Sequence, residues 1–311
     1  MRCKVNTLRR FCRYAVSSGY VLVTMIVINS LSFAADPGKN GKIAFIGNLT
    51  GTSQIYTANP DGTDLFQVTN LPPASDSFAL APDFSPDGKR IVFPYASTGA
   101  LELYTINADG TDLTQITHDG RGYGLPRWSP DGSHILVATP GKHNTLVIAT
   151  IRSDGTDLKL LTTPFWDSLG ASYTSDGKHI VFSSQQGGLV SALWIMDTDG
   201  KHQRRLTDPE LEAGPPDVAS DGKQVVFYTH QDTPKPTSIF KINIDGSGVT
   251  RLTSEGQMDT LPVFSPDGKK IAYMSDRLSP GSSDSWTMNA DGSHKRRVIL
   301  GAFGPNWGVQ P

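Results

Sequence analysis

The sequence predicts an all-β fold, a six-bladed β-propeller of four-stranded blades closed by pairing of its N- and C-terminal strands. Three observations carry the prediction. Two turn motifs recur about every 45 residues, short apolar runs follow the turns, and one repeat is split between the two ends of the chain.

The first motif is a Ser-(Pro)-Asp-Gly turn: Ser85-Pro86-Asp87-Gly88, Ser129-Pro130-Asp131-Gly132, Ser175-Asp176-Gly177, Ser220-Asp221-Gly222 and Ser265-Pro266-Asp267-Gly268. Its glycines are 44, 45, 45 and 46 residues apart. The second is an Asp-Gly pair at Asp61-Gly62, Asp109-Gly110, Asp154-Gly155, Asp199-Gly200, Asp245-Gly246 and Asp291-Gly292. Six units of this length match propeller blades, which run about 40–45 residues. In such a pair the aspartate bonds its own backbone and glycine supplies positive φ, so each reads as a hairpin turn. Arg90-Ile91-Val92-Phe93 and Lys270-Ile271-Ala272-Tyr273 are short apolar runs, as expected of strands buried on both faces. Leu103-Tyr104-Thr105-Ile106 and Trp194-Ile195-Met196 supply the next strand. Leu113-Thr114-Gln115-Ile116-Thr117 and Arg204-Arg205-Leu206-Thr207 supply the outer one. Helical periodicity is missing throughout.

A large apolar residue enters each first turn: Phe84, Trp128, Tyr173, Val218 and Phe264. A sixth copy, Gly304-Pro305-Asn306-Trp307, stands at the C-terminus with no strands after it. The missing strands, Gly41-Lys42-Ile43-Ala44-Phe45 and Gln54-Ile55-Tyr56-Thr57, stand near the N-terminus. One blade is therefore built from both chain ends, which protects sheet edges that would otherwise be open. Trp128 and Trp307 belong to the core between blades.

Residues 1–34 carry Arg2, Lys4, Arg9, Arg10 and Arg13 and no acid, followed by the apolar run Tyr20 to Ile28 and the small residues of Ser32-Phe33-Ala34. This is the layout of a secretory signal peptide cleaved after Ala34. The apolar stretch falls short of the roughly 20 residues of a membrane span, so none is expected after cleavage. Residues 35–40 form a linker and 41–311 the propeller. Cys3 and Cys12 both lie in the removed segment, which leaves no thiol chemistry in the mature chain. The remainder holds 23 basic and 30 acidic side chains, and a mildly acidic surface gives no footprint for nucleic acid. A periplasmic location is expected.

Residues 261–297 combine Leu-Pro-Val-Phe-Ser-Pro-Asp-Gly-Lys-Lys-Ile-Ala-Tyr-Met-Ser-Asp-Arg with Ser285-Trp286-Thr287-Met288-Asn289-Ala290-Asp291-Gly292-Ser293 and Lys295-Arg296-Arg297. This closely resembles the repeat of the TolB family of periplasmic propellers, and the resemblance extends over residues 41 to 307. It implies a TolB-like six-bladed propeller that receives a protein partner. In TolB itself the partner is the lipoprotein Pal, and an N-terminal α/β domain contacts TolA. The repeat here begins next to the expected cleavage site, so the resemblance implies a stand-alone relative. Similar repeats also form the gating propellers of prolyl oligopeptidases and tricorn-type proteases.

The Asp-Gly loops lack the ligand set and terminal glutamate of a calcium loop and read as turns. No nucleophile elbow, zinc motif, phosphate loop or dinucleotide fingerprint occurs, and no metal or cofactor is expected. The connections from the outer strand of one blade to the inner strand of the next ring one mouth of the channel, where loops on a rigid scaffold carry function. They supply Asp76 and Phe78; His118, Arg121 and Tyr123; Phe165, Trp166 and Asp167; Glu210 and Glu212; Gln257 and Asp259; and Phe303. Of these, Asp76, His118, Arg121, Tyr123, Trp166, Asp167, Glu212 and Asp259 are the candidate partner-binding residues, and Asp259 matches the aspartate that TolB-like repeats carry before their Pro-x-aromatic step. The leading expectation is a monomeric binding or scaffold propeller that holds a protein or peptide, an envelope lipoprotein among the candidates. One alternative is a glycan-acting lyase or hydrolase using funnel carboxylates and His118. Another is a regulatory propeller of a separate catalytic subunit.

Overall fold

The computed structural model describes residues 38–72, 81–96, 99–188, 190–229, 237–254, 256–278 and 283–311. The expected signal peptide with its cleavage point, as well as Asp76 and Phe78, lies outside the described residues. The chain opens with β1 (Asn40–Gly47), β2 (Gln54–Ala58) and β3 (Phe66–Gln67). Blade 2 follows as β4 (Asp83–Phe84), β5 (Arg90–Tyr95), β6 (Glu102–Asn107) and β7 (Thr114–Gln115). Blade 3 is β8 (Gly124–Trp128), β9 (His134–Pro140), β10 (Leu146–Arg152) and β11 (Lys159–Leu160). Blade 4 is β12 (Ser168–Tyr173), β13 (His179–Ser184), β14 (Ala192–Asp197) and β15 (Arg204–Arg205). Blade 5 is β16 (Asp217–Val218), β17 (Gln224–Thr229), β18 (Ser238–Asn243) and β19 (Thr250–Arg251). Blade 6 is β20 (Asp259–Phe264), β21 (Lys270–Ser275), β22 (Asp284–Asn289) and β23 (Arg296–Ile299). Finally β24 (Ala302–Val309) pairs with β1 and completes blade 1.

The closure read from the split repeat is the one observed. Ile43 stands opposite Trp307 and Gly47 opposite Ala302 in an antiparallel pair. Trp307 packs with Ile43, Val263 and Ala272, joining blade 1 to blade 6. The other cores likewise lie between blades rather than within them. Phe84, Ile91 and Phe93 of blade 2 meet Ile46, Ile55 and Val68 of blade 1, and Trp128 meets Val92 and Leu103. Fully burying one such side chain is worth about 1.5–3 kcal/mol, so each blade owes its stability to its neighbours.

The repeated polar residues explain themselves as local ties. Ser85 Oγ donates to Asp87 Oδ1 at 2.6 Å and accepts the Arg90 N–H at 2.9 Å, and Ser129 and Ser265 repeat this. In blade 4 the hydroxyl with this role is that of Thr174, one residue before Ser175, and blade 5 has Ala219 there. Thr69, Thr117, Thr162, Thr207 and Thr253 accept the N–H of Ile55, Leu103, Ile148, Leu193 and Ile239, tying the outer strands of blades 1 to 5 to their neighbours.

The Asp-Gly turns do more than reverse the chain. Hydroxyl bonds from Thr63, Thr111 and Thr156 hold Asp61, Asp109 and Asp154 below the usual carboxylate range, as a turn-forming aspartate requires. At Gly155 φ is 83°, and a Cβ there would meet the carbonyl oxygen of Ile116, in the preceding blade, at 1.6 Å. Gly62, Gly110, Gly200, Gly246 and Gly292 abut the corresponding carbonyl of their own preceding blades. Each turn is a latch between blades.

Candidate functional site

The two ends of the ring are chemically unlike. The Ser-Pro-Asp-Gly and Asp-Gly turns share one end, bonded to each other through pairs such as Ala108 N–H to Lys89 O and Ser153 N–H to Ser133 O. The other end, the mouth, carries the connections between blades and the loops between second and third strands. Among the described residues, the exposed large apolar side chains of the mouth are Leu49, Phe165, Trp166, Leu169, Val190, Met258, Leu278 and Leu300. The remaining ones are Phe66 and Leu160, in outer strands, and Leu65, Leu113 and Val249, which stand between an Asp-Gly turn and the outer strand that follows it.

The mouth leads into a cup of about 390 Å³ with walls of Ala81, Leu125, Leu169, Pro215, Tyr228, Met258, Leu261, Met274 and Phe303. Beneath it the chains narrow to a collar made of Ala81, Leu125-Pro126, Gly170-Ala171, Pro215-Pro216, Leu261-Pro262 and Gly304-Pro305, with only about 20 Å³ left between them. That is room for about one water. The collar has a local cause. Ala81, Leu125, Gly170, Leu261 and Gly304 all hold positive φ, between 43° and 60°, and bulges interrupt strand pairing between Gly124 and Arg127, Leu169 and Ala171, and Thr260 and Val263. A bulge bends its strand and re-aims side chains; here it turns Leu125 and Leu261 to the cup.

Below the collar each blade contributes one residue to a ring around the channel: Asp83, Arg127, Ser172, Asp217, Val263 and Asn306. Four of them accept a backbone N–H of the next blade. Asp83 takes Trp128 N–H at 2.7 Å, Ser172 takes Val218 N–H at 3.3 Å, Asp217 takes Phe264 N–H at 2.8 Å and Asn306 takes Phe84 N–H at 3.1 Å. Arg127 and Val263 have no acceptor to offer. Arg127 instead pairs with Asp83 at 3.1 Å, and the Asn306 amide donates to the same oxygen at 2.7 Å. Burial pushes the Asp217 carboxyl up to about 6; Arg127 and the Phe264 N–H pull against this, and Asp83 adds to it. A vestibule of about 490 Å³ opens from this ring toward the turn end.

The sequence candidates divide among three places. Trp166 is at the mouth, exposed beside Phe165, whose ring stacks on His143 at 6.0 Å. Asp167 holds that loop in place: its Oδ1 accepts the Leu146 N–H at 2.7 Å. Glu212 also lies on a mouth connection, in left-handed conformation at the end of a short 3-10 turn, Pro209–Leu211. Arg121 is exposed at the blade 3 edge, its Nη1 3.4 Å from Pro140 O. His118 is placed elsewhere, on a flank groove between the outer strand of blade 2 and the Asp154-Gly155 turn of blade 3. Tyr123 lines that same groove but is buried, and its hydroxyl donates to Asp119 at 2.9 Å. Asp259 is wholly buried, its Oδ2 3.0 Å from Arg277 Nη2, so its charge is spent inside blade 6 rather than offered at the mouth. Among the described residues no three His, Asp or Glu side chains converge as metal ligands do.

Sequence reasoning missed Leu125, Leu261 and the polar ring. The signals were present, as a residue before proline in five of the six repeats and, in all six, the residue before the large apolar one that enters the turn.

Comparison with known proteins agrees with this architecture. No curated protein matches the chain by sequence. Among solved structures, TolB of Acinetobacter baumannii superposes with a TM-score of 0.73 at 22% identity, over 87% of this chain and 67% of that one. A protein of Agrobacterium tumefaciens described as a TolB gives 0.67 at 20%, over 88% and 99%. An oligogalacturonate lyase of Vibrio parahaemolyticus gives 0.52 at 18%, over 84% and 73%. At these identities the likeness is one of fold. The family described as the TolB beta propeller domain matches residues 29–216, more than half of the sequence. The chain belongs to the TolB β-propeller domain family.

Proposed function

We propose that this propeller is a periplasmic binding module that holds a protein or peptide segment at its mouth. The observation that carries the reading is the unevenness of the surface: eight of the thirteen exposed large apolar side chains among the described residues lie at the mouth, which also holds the apolar cup, and the other five lie in the outer strands or the stretches leading into them. Contiguous exposed apolar surface marks interaction sites, and rigid aromatics such as Trp166 dominate binding energy at interfaces. On this reading residues 1–34 direct export, the propeller works as a monomer, and an envelope lipoprotein is the partner class to test first.

The test is affinity capture from periplasmic extract, followed by calorimetry with the captured partner. Trp166→Ala and Leu169→Asp are each expected to weaken binding at least tenfold, about 1.4 kcal/mol, with folding largely intact because neither side chain is buried. Arg205→Ala, on the circumference, is expected to leave binding alone. Equal losses at mouth and circumference, or none at the mouth, would place the partner elsewhere.

A further inference from the structure

The channel has a second chamber, at the end opposite the mouth. The vestibule of about 490 Å³ is shut off from the cup by the collar, with its gap of about 20 Å³. Its size falls within the usual range of ligand pockets, about 300–1,000 Å³. The undescribed stretches after residue 38 all belong to the loops and connections of the mouth, not to this end.

At the floor of the vestibule the two ring carboxylates differ in their bonding. Both oxygens of Asp83 are engaged, Oδ1 by Arg127 and Asn306 and Oδ2 by the Trp128 N–H. Asp217 accepts one hydrogen bond, at Oδ2 from Phe264 N–H, and forms no ion pair among the described residues. Its Oδ1 is left open. The charges that act on Asp217 are Arg127, already bonded to Asp83, and Asp83 itself; Lys39, exposed on the vestibule wall, is not among them. Burial already pushes the Asp217 carboxyl up to about 6, and a cation at Oδ1 would relieve that penalty. Phe84, Tyr173, Phe264 and Trp307 line the chamber, and aromatic rings favour a cation beside them. A calcium ion takes about six to eight oxygen ligands, which one open carboxylate oxygen between aromatic walls does not supply. An ammonium on an apolar stem suits both.

The repeat is also broken on this side of the ring. The residue before the turn aspartate is Pro86, Pro130 or Pro266 in blades 2, 3 and 6, but Ser175 and Ser220 in blades 4 and 5. Neither serine serves its turn, because Thr174 holds that role in blade 4 and blade 5 has Ala219 there. Both line the vestibule, one on the blade of Asp217 and one on the blade before it, and among the described residues neither hydroxyl has a hydrogen bond.

We infer that the vestibule binds a primary alkylammonium, the chemistry shared by a lysine side chain and a free alkylamine, with its charge on Asp217 and its stem between the aromatic walls. Where the ligand is a lysine of a peptide, Ser175 and Ser220 accept its backbone N–H groups. The ligand enters from the turn end, so the site does not rest on the reading of the mouth as a binding face.

Calorimetry of the purified protein with three probes tests this: N-acetyl-lysine methylamide, its norleucine analogue, which keeps the four-carbon stem without the ammonium, and n-butylamine, which keeps stem and ammonium without a backbone. The lysine probe is expected to bind at least tenfold tighter than the norleucine one. Asp217→Asn, which keeps an acceptor for Phe264 N–H, is expected to abolish that preference. Trp166→Ala, at the mouth, is expected to leave it unchanged. If the lysine probe also binds tighter than n-butylamine, and Ser175→Ala with Ser220→Ala removes that gain, the ligand is a lysine of a peptide; equal affinity for the two makes it a free amine, and both results uphold the ammonium site. Equal binding of the norleucine probe, no binding of either amine, or an undiminished preference in Asp217→Asn overturns the inference. Calcium chloride that displaces the lysine probe beyond the effect of sodium chloride at equal ionic strength would make Asp217 a metal ligand and overturn it as well.

Discussion

Replacing Gly155 and Gly177 by alanine separates the two uses of glycine in this fold. Both residues hold positive φ, 83° and 67°, and in both cases an alanine bears about 1–2 kcal/mol for the left-handed conformation. Both also reduce the entropy of the unfolded chain equally. These shared effects cancel in the comparison. At Gly177 a Cβ meets nothing within 4 Å, whereas at Gly155 it meets Ile116 O at 1.6 Å. To restore even a 3.0 Å contact the two blades must part by at least about 1.4 Å, and overpacking of this kind costs about 1–3 kcal/mol. Gly155→Ala is therefore expected to melt about 2–12 °C below Gly177→Ala, at about 2–4 °C per kcal/mol for a domain of this size. Thermal unfolding followed by circular dichroism and by tryptophan fluorescence measures the gap. Two variants that melt together would show that the Asp-Gly turns reverse the chain without latching the blades.

Three further outcomes are expected. Because the folded ring raises Asp217 from 3.8 to about 6, it holds an extra proton between those values, and stability falls as pH rises through that window. Asp217→Asn, which keeps an acceptor for Phe264 N–H, is thus expected to stabilise by up to about 3 kcal/mol above pH 7 and not at pH 4, read from denaturant midpoints at both. Trp307→Ala is expected to cost about 3–5 kcal/mol, and deletion of residues 301–311 to prevent closure; a truncated chain with an unchanged melting temperature would refute the closure. Asp259→Asn is expected to destabilise by about 3–5 kcal/mol by leaving Arg277 without its buried partner, while leaving the affinity of a partner bound at the mouth unchanged in calorimetry.

The ring was legible because its turns are chemically demanding. Gly155 and its counterparts hold positive φ against a carbonyl of the preceding blade, and the lone Pro305-Asn306-Trp307 at the end announces strands that must be borrowed from Ile43 and Gln54. The cup was not legible, because Leu125 and Leu261 look like any other strand leucine until a bulge turns them. Asp259 looked like a rim acid because its partner Arg277 lies 18 residues away, across a strand pair, where local sequence gives no hint. His118 followed the rule for connections between blades, but its loop leaves the outer strand before it reaches the channel.

The shared blade also sets a timetable. Ile43 and Ile46, among the first apolar residues of the propeller, have their strand partners in β24, the last of its strands in chain order. Until β24 pairs, blade 1 lacks its innermost strand and presents an open edge, and bringing the chain ends together carries the largest loop-closure entropy in the molecule. Ring closure is accordingly expected late in folding, and an open edge on blade 1 before it is a place where chains can pair with one another.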